Sequence, residues 1–339
     1  MSRLRRPIRA AAGLATAVAL SLTASGCVTV HGELAVLPAA KPGEAEKALE
    51  DFTDAYNAAD KAYDPALDAD RVTGALGEIN QAGLKAGSVV SPNGNTRHQP
   101  LELTDAKYTI PKKAGWPRWF VADTTSNRNR PDGPKFRWVL AFVRNAPEEP
   151  WKCAYLTILR PGDVPEFKKD ADGFAESVEP DSEALAVAPG DLSKEYASFL
   201  KSGSPEHFAD GPHTDEWRES REKNGRLPGL TTQYVDEPLG DGDFAPLAMR
   251  TADGGAMAFF ATRIYERQTG AKGVRPEVSA DVKALMKGEV KNSLTKNWVS
   301  SQAALVAPNG GGGAGGGGTD APAVDVKGRL QGVTGATGS

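Results

Sequence analysis

Phe136-Arg137-Trp138-Val139-Leu140-Ala141-Phe142-Val143-Arg144, followed after a short turn by Trp151-Lys152-Cys153-Ala154-Tyr155-Leu156-Thr157-Ile158-Leu159, decides the fold class. Phe136, Trp138, Leu140 and Phe142 alternate with Arg137, Val139, Ala141 and Val143, a period of two that places the large residues on one face of a strand. Asn145–Pro150 makes the turn and the second run is almost continuously apolar, so the pair predicts an antiparallel hairpin. Upstream, Leu101, Leu103, Tyr108–Ile110 and Trp119–Thr124 also read as extended. Before Pro100 the period changes. Ala45, Ala48, Leu49, Phe52, Tyr56, Ala59 and Tyr63 recur at helical spacing, Pro65 interrupts, and a second helical stretch runs from Asp68 through Leu84 with Val72, Leu76, Ile79 and Leu84 on its buried side.

Helices first and antiparallel strands after predict an α+β fold, with helices packed on a curved antiparallel sheet. The order recurs downstream: a helix at Leu192–Leu200, a polar continuation over Glu206–Asn224, strands at Leu230–Val235, Leu247–Thr251 and Ala256–Arg267, an inserted helix within Val282–Val290, and a long strand at Ser293–Val306. The expected architecture is therefore two tandem modules, residues 44–162 and 190–308, joined by an Asp-, Glu-, Pro- and Gly-rich linker at 163–189. Residues 309–339 form a tail whose glycine run lacks the Lys-Ser/Thr of a phosphate loop, with Val324–Val333 an added edge strand or a loose segment.

The first 26 residues read as an export signal: Arg3, Arg5, Arg6 and Arg9, an apolar run from Ala10 to Leu22, then small residues. Those 13 apolar residues would rise roughly 20 Å as a helix, short of a hydrocarbon core of about 30 Å. Ala24-Ser25-Gly26-Cys27 resembles the lipobox of bacterial lipoproteins, although Leu22 stands five positions before Cys27 where the usual Leu stands three before. The resemblance implies diacylglycerol transfer to Cys27, palmitate-type acylation, cleavage before it, and a place on the outer face of the cytoplasmic membrane. Residues 27–43, with Pro38 and Pro42, read as a tether. Cleavage leaves 313 residues with 36 basic and 44 acidic groups, a well-mixed acidic surface that argues against a nucleic-acid partner.

Gly115-Trp116-Pro117-Arg118-Trp119-Phe120, Phe136-Arg137-Trp138 and Trp151-Lys152-Cys153-Ala154-Tyr155-Leu156 together resemble a family of actinobacterial lipoproteins of unknown function. The helix-then-sheet order of each half is similar to the cone-shaped nuclear-transport-factor-two and cystatin-like class. These resemblances imply an address and a fold, and transfer no catalytic residues.

No catalytic constellation, metal site or cofactor is expected. With Cys27 acylated, Cys153 has no disulfide partner, and its apolar neighbours predict a buried, inert thiol. His31 and His98 read as loop residues, and His207-Phe208-Ala209-Asp210-Gly211-Pro212-His213 has neither the spacing nor the helical continuity of a metal motif. Asp170-Ala171-Asp172-Gly173 and Asp241-Gly242-Asp243 read as turns rather than calcium loops. The aromatic set Trp116, Trp119, Phe120, Trp138, Phe142, Trp151 and Tyr155 is either core or the lining of a pocket or groove rimmed by Arg118, Arg137 and Arg144. The leading expectation is a non-enzymatic envelope lipoprotein that binds an apolar small ligand or an envelope protein. A small-molecule hydrolase or isomerase using a cone-shaped pocket, or a transporter-associated substrate receptor, are the alternatives.

Overall fold

Helix α1 (Pro42–Ala62) begins where proline occupies its first turn and the Lys41 backbone N–H donates to the Glu44 carboxylate at 2.8 Å. It ends at Tyr63, whose left-handed backbone (φ 51°) stops the helix. The computed structural model describes residues 35–310 and 322–339. The export segment, Cys27, His31 and the tether through residue 34 lie outside the described residues, as does the glycine run from 311 onward. A 3-10 turn at Pro65–Leu67 separates α1 from α2 (Gly74–Val90). Strands β1 (Leu37–Pro38), β2 (Leu103–Thr109), β3 (Pro111–Lys113), β4 (Arg118–Ser126), β5 (Arg137–Arg144) and β6 (Lys152–Leu159) complete the first half.

Antiparallel β2, β4, β5 and β6 form a four-stranded sheet in that order. The alternation in β5 is realised as expected: Leu140 and Phe142 face α1, where Phe142 stacks on Phe120 (5.0 Å between ring centres) and meets Phe52 edge-on. Val139 and Ala141 face the other way. In β6 the pairing skips from Ala141↔Tyr155 to Phe142↔Cys153, so Ala154 is an extra, bulged residue. The bulge puts Ala154 and Tyr155 together on the face away from α1.

The second sheet has ten strands. Besides β1 and β3 it takes its strands from the second half, whose elements are β7 (Ala175–Val178), α3 (Leu192–Ser202), α4 (Asp215–Gly225), β8 (Arg226–Leu227), β9 (Leu230–Leu239), β10 (Leu247–Arg250), β11 (Ala256–Gly270), α5 (Ala280–Leu285), β12 (Met286–Lys287), β13 (Ser293–Val306) and β14 (Val324–Gly338). The long strand β11 pairs with β13 from Ala256↔Val306 to Thr269↔Ser293, and its other edge is shared by β10 and β9. Alternation again assigns faces: Met257, Phe259 and Ala261 pack against the four-stranded sheet, while Ala258 and Phe260 pack under Tyr196, Phe199 and Leu200 of α3.

The layers therefore run α1, four-stranded sheet, ten-stranded sheet, α3. The fold is α+β, and its halves interlock. Trp119, Val139 and Tyr155 share one core with Met249, Phe259 and Val299. Strands β1 and β3 continue the large sheet through β7, with β3 and β7 parallel. Residues 163–189 do cross between the sheets, but they carry β7 and bury Val178, Leu185 and Val187 under α3.

The segment at Val324–Val333 takes the first of its two expected forms. It is an added edge strand of the large sheet, the first part of β14, which pairs with β13 from Val306↔Val324 to Leu294↔Gly338 and with β12 only at Ala336 and Thr337. Its glycines fit it to that place. A Cβ on Gly328 would lie 2.1 Å from Thr157 Oγ1 of β6, and one on Gly332 would lie 2.7 Å from Ile79 Cγ2 of α2. A strand that passes this close beneath its neighbours must lack side chains there, and those glycines lower its strand propensity. The inserted helix is also shorter than expected, because β12 begins at Met286.

Candidate binding cleft

Where α2 lies over β14, the large sheet extends beyond the small one and leaves a cleft of about 1080 Å³. One wall is the small-residue face of α2 (Ile79, Gly83, Ala86, Gly87), with the Tyr63 ring closing its end. A Cβ on Gly87 would meet that ring at 2.4 Å, whereas one on Gly83 would meet nothing within 4 Å. The first glycine makes room for Tyr63 and the second leaves room in the cleft. The floor is Gly332 and Val333 of β14 with Trp298 of β13, and the opposite wall comes from Leu230, Val278, Val282 and Leu285. Leu227 (47% exposed) and Val274 (38%) stand at the mouth, an arrangement that keeps apolar surface in water without an occupant.

Several polar groups at this cleft are tied down by neighbours. Glu266 accepts from Lys296 Nζ (3.0 Å), Trp298 Nε1 (3.1 Å) and Gln268 Nε2 (3.1 Å), which fixes the indole and the ammonium at one side. Ser279 spends its hydroxyl as the cap of α5, accepting from the Val282 N–H at 3.3 Å. Arg263 of β11 holds both carboxylate oxygens of Glu78 at 3.0 Å and so anchors α2 to the sheet. The result is a mostly apolar trough with a charged corner, suited to an elongated molecule with an apolar body and a polar end.

A second cavity, of about 830 Å³, is of another kind. It borders α4 and β9 and is lined mainly by charged and polar side chains, among them the buried bidentate pair Arg221–Asp236 at 2.7 and 2.9 Å. Trp217 lies between the guanidinium groups of Arg329 (3.8 Å) and Arg221 (5.0 Å). Burial pulls the Arg329 guanidinium below its usual value.

The aromatic set singled out in the sequence does not line one groove, because strand alternation divides it. Phe120, Phe142 and Trp151 sit in the core beneath α1, joined at its edge by Trp138. Trp119 and Tyr155 lie on the opposite face, between the sheets. Phe120, Phe142 and Tyr155 are each 0% exposed, so they pack the core rather than receive a ligand. Trp116 alone of the seven is exposed, stacked between Arg118 (5.0 Å) and Arg144 (5.3 Å). Arg137 does not rim the aromatic set: its guanidinium is committed to Asp123 and Asp105.

Cys153 is fully buried, and desolvation pushes its thiol well above the ordinary value, which leaves it protonated and unreactive. His98 meets Asp60 at 2.6 Å, and His207 meets Glu195 at 2.8 Å. Burial, and then the nearby Arg329, lowers the His213 imidazole below its usual value. Asp170 closes a turn by accepting from the Asp172 and Phe174 backbone, and Asp243 accepts from Thr73 Oγ1 at 2.7 Å. The cleft itself escaped the sequence reading. Its one local signal is the run of small residues on α2 (Gly83, Ala86, Gly87), which reads equally well as a packing face.

Residues 36–338 match a family described as a domain of unknown function, DUF8094. The chain belongs to this family. It is 54% identical over 337 residues to a Streptomyces coelicolor protein named an uncharacterized lipoprotein, covering 99% of this chain and 97% of that one. It is 56% identical over 308 residues to an uncharacterized lipoprotein of Streptomyces avermitilis, covering 91% of each. No solved structure matches. These relatives agree with the actinobacterial lipoprotein resemblance, and they name no ligand or reaction. Among the described residues, no helix is long and apolar enough to cross a membrane.

Proposed function

We propose that this family member is a non-enzymatic envelope lipoprotein, held on the outer face of the cytoplasmic membrane by acyl chains on Cys27, that binds an amphipathic small molecule in the cleft between α2 and β14. The names of its relatives support the anchor. Two acyl chains hold durably where one binds only marginally, at about 0.8 kcal/mol per buried methylene. The observation that carries the binding role is the trough itself, whose walls are largely apolar and whose Lys296 and Trp298 are held by Glu266 at one corner. A largely apolar lining favours holding a ligand over transforming one. The first layer pair, α1 across an antiparallel sheet with a bulged edge strand, supports the likeness to the cone-shaped class. The cleft, however, lies away from the core that α1 forms with the four-stranded sheet.

Gly83→Leu tests the reading without damaging the fold. The new side chain would project from α2 into the open cleft, and replacing a mid-helix glycine should hold or raise stability by about 0.5–1 kcal/mol. Titration of the mature protein with a fluorescent fatty acid should give saturable binding, weakened about tenfold or more in Gly83→Leu, with the unfolding midpoint unchanged or higher. Equal binding by both proteins would remove the cleft as the site. Turnover of a small-molecule ester by purified protein would overturn the non-enzymatic reading.

A further inference from the structure

The described chain enters the fold at Ala35, and its first ordered contacts are those of β1: Leu37 opposite Lys113 and Pro38 opposite Lys112. Val36 (62% exposed) and Leu37 (47%) are therefore apolar side chains left in water at the entry point. Beside them, Arg118 Nη1 donates to the Pro38 carbonyl at 3.0 Å and its guanidinium lies over Trp116, which is 36% exposed. Arg144, across from Arg118 in the sheet, covers the other part of Trp116 and reaches Trp151 at 4.6 Å. The Nε atoms of both arginines have no partner.

From this juxtaposition of Val36, Leu37 and Trp116 with Arg118 and Arg144 at the tether's exit, we propose that this end of the molecule docks on the headgroup region of the bilayer that holds the Cys27 acyl chains. The proposal rests on the anchoring reading above. Nine residue steps separate Cys27 from Val36, at most roughly 32 Å fully extended and about 15–18 Å as a relaxed coil. The tether thus keeps this plate, more than any other surface, within reach of the interface. Indole rings favour that depth, short apolar side chains gain by partial insertion, and guanidinium groups donate to phosphate oxygens. Anionic phospholipid is the occupant this chemistry fits.

Docking there also fixes where the cleft stands. Arg144 meets Glu44, in the first turn of α1, at 3.6 Å, and Tyr63, just past the last turn, lines the cleft. The 21 residues of α1 span roughly 30 Å. The cleft therefore opens roughly 30 Å along the molecule from the docked surface, and a ligand bound in it is held clear of that contact.

The test is hydrogen exchange by mass spectrometry on the acylated mature protein, reconstituted in vesicles of phosphatidylglycerol and phosphatidylcholine, against the Cys27→Ser protein in solution. Amides in residues 35–38 and 113–118 should exchange about threefold or more slowly on vesicles while the peptides around Val274–Ser279 are unchanged. Trp116→Ala, a surface change that leaves the unfolding midpoint in place, should abolish that protection while the protein stays membrane-bound. Bound, acylated protein with unprotected 113–118, or with protection at the cleft instead, would overturn the docking surface alone. Lack of the acyl mass on Cys27 would overturn the anchoring reading and this proposal together.

Discussion

Asp68 is a carboxylate that folding buries without a cation. It is 1% exposed, and its two oxygens accept from the side-chain amides of Asn80 and Gln81, which ties the turn after α1 to the middle of α2. Desolvation raises its pKa from 3.8 to about 6, while the two amide hydrogen bonds pull the other way without cancelling it. Because the folded state holds the proton more tightly than the unfolded chain, the stabilisation is complete below about pH 4. It is lost as the pH rises through about 6. Asp68→Asn removes that titration, so wild-type stability relative to the variant should fall between pH 4 and pH 6.5 in urea unfolding. A difference that stays constant across that range would show that Asp68 is not the group responsible. Nothing in the sequence marks Asp68 from the acidic residues around it, since its burial is imposed by α2 from twelve residues away. Cys153 was legible because apolar residues flank it on both sides, and two of them, Trp151 and Leu156, share its core.

At the scale of elements, what the sequence displayed and what it hid follow from how local each signal is. The hairpin β5–β6 and helix α1 carry their own periodicity, and the structure builds them close to their expected bounds. Strand β14 stood open between an edge strand and a loose segment because its placement is paid for by contacts rather than by propensity: Gly328 and Gly332 exist to let β6 and α2 come close. Gly328→Ala should therefore cost about 1–3 kcal/mol by overpacking, even though alanine is the better former of regular structure. Thr157 Oγ1, the atom a new methyl would strike, is itself buried without a partner. Thr157→Ala in the same chain should recover part of the loss, leaving the contact with Leu159 Cδ2 at 2.8 Å. Additive losses in the four proteins of that cycle, measured by urea unfolding, would break the assignment. The same reasoning explains why the aromatic set misled: composition gathered it within one region, but the side of the strand on which each ring falls depends on register and on the bulge at Ala154.

For the molecule as a whole, the question is whether two helix-on-sheet layers behave as two domains or one. Their order in the sequence suggests two units, but the packing joins them at the sheet faces, and Tyr155 is the clearest tie. Its ring lies 6.1 Å from Phe259 of the large sheet, and its hydroxyl donates to the Phe244 and Ala245 carbonyls at 2.8 and 3.1 Å. Burial raises the phenol far above its ordinary value, so it remains a donor at any pH the fold survives. Separating the sheets would expose the opposed faces of both, including Trp119, Val139, Met249 and Phe259, at about 25 cal/mol for each Å² of apolar surface. That loss exceeds what either half could recover alone, so both should unfold in one step. Amides in β5 and β13 should then report the same opening free energy by hydrogen exchange in rising denaturant. Tyr155→Phe should lower both equally, by about 1–2 kcal/mol, because it strands two carbonyls at the seam rather than loosening one sheet. If β5 instead opens at lower denaturant than β13, and Tyr155→Phe moves only one of them, the small sheet is a separable domain and the seam contributes little.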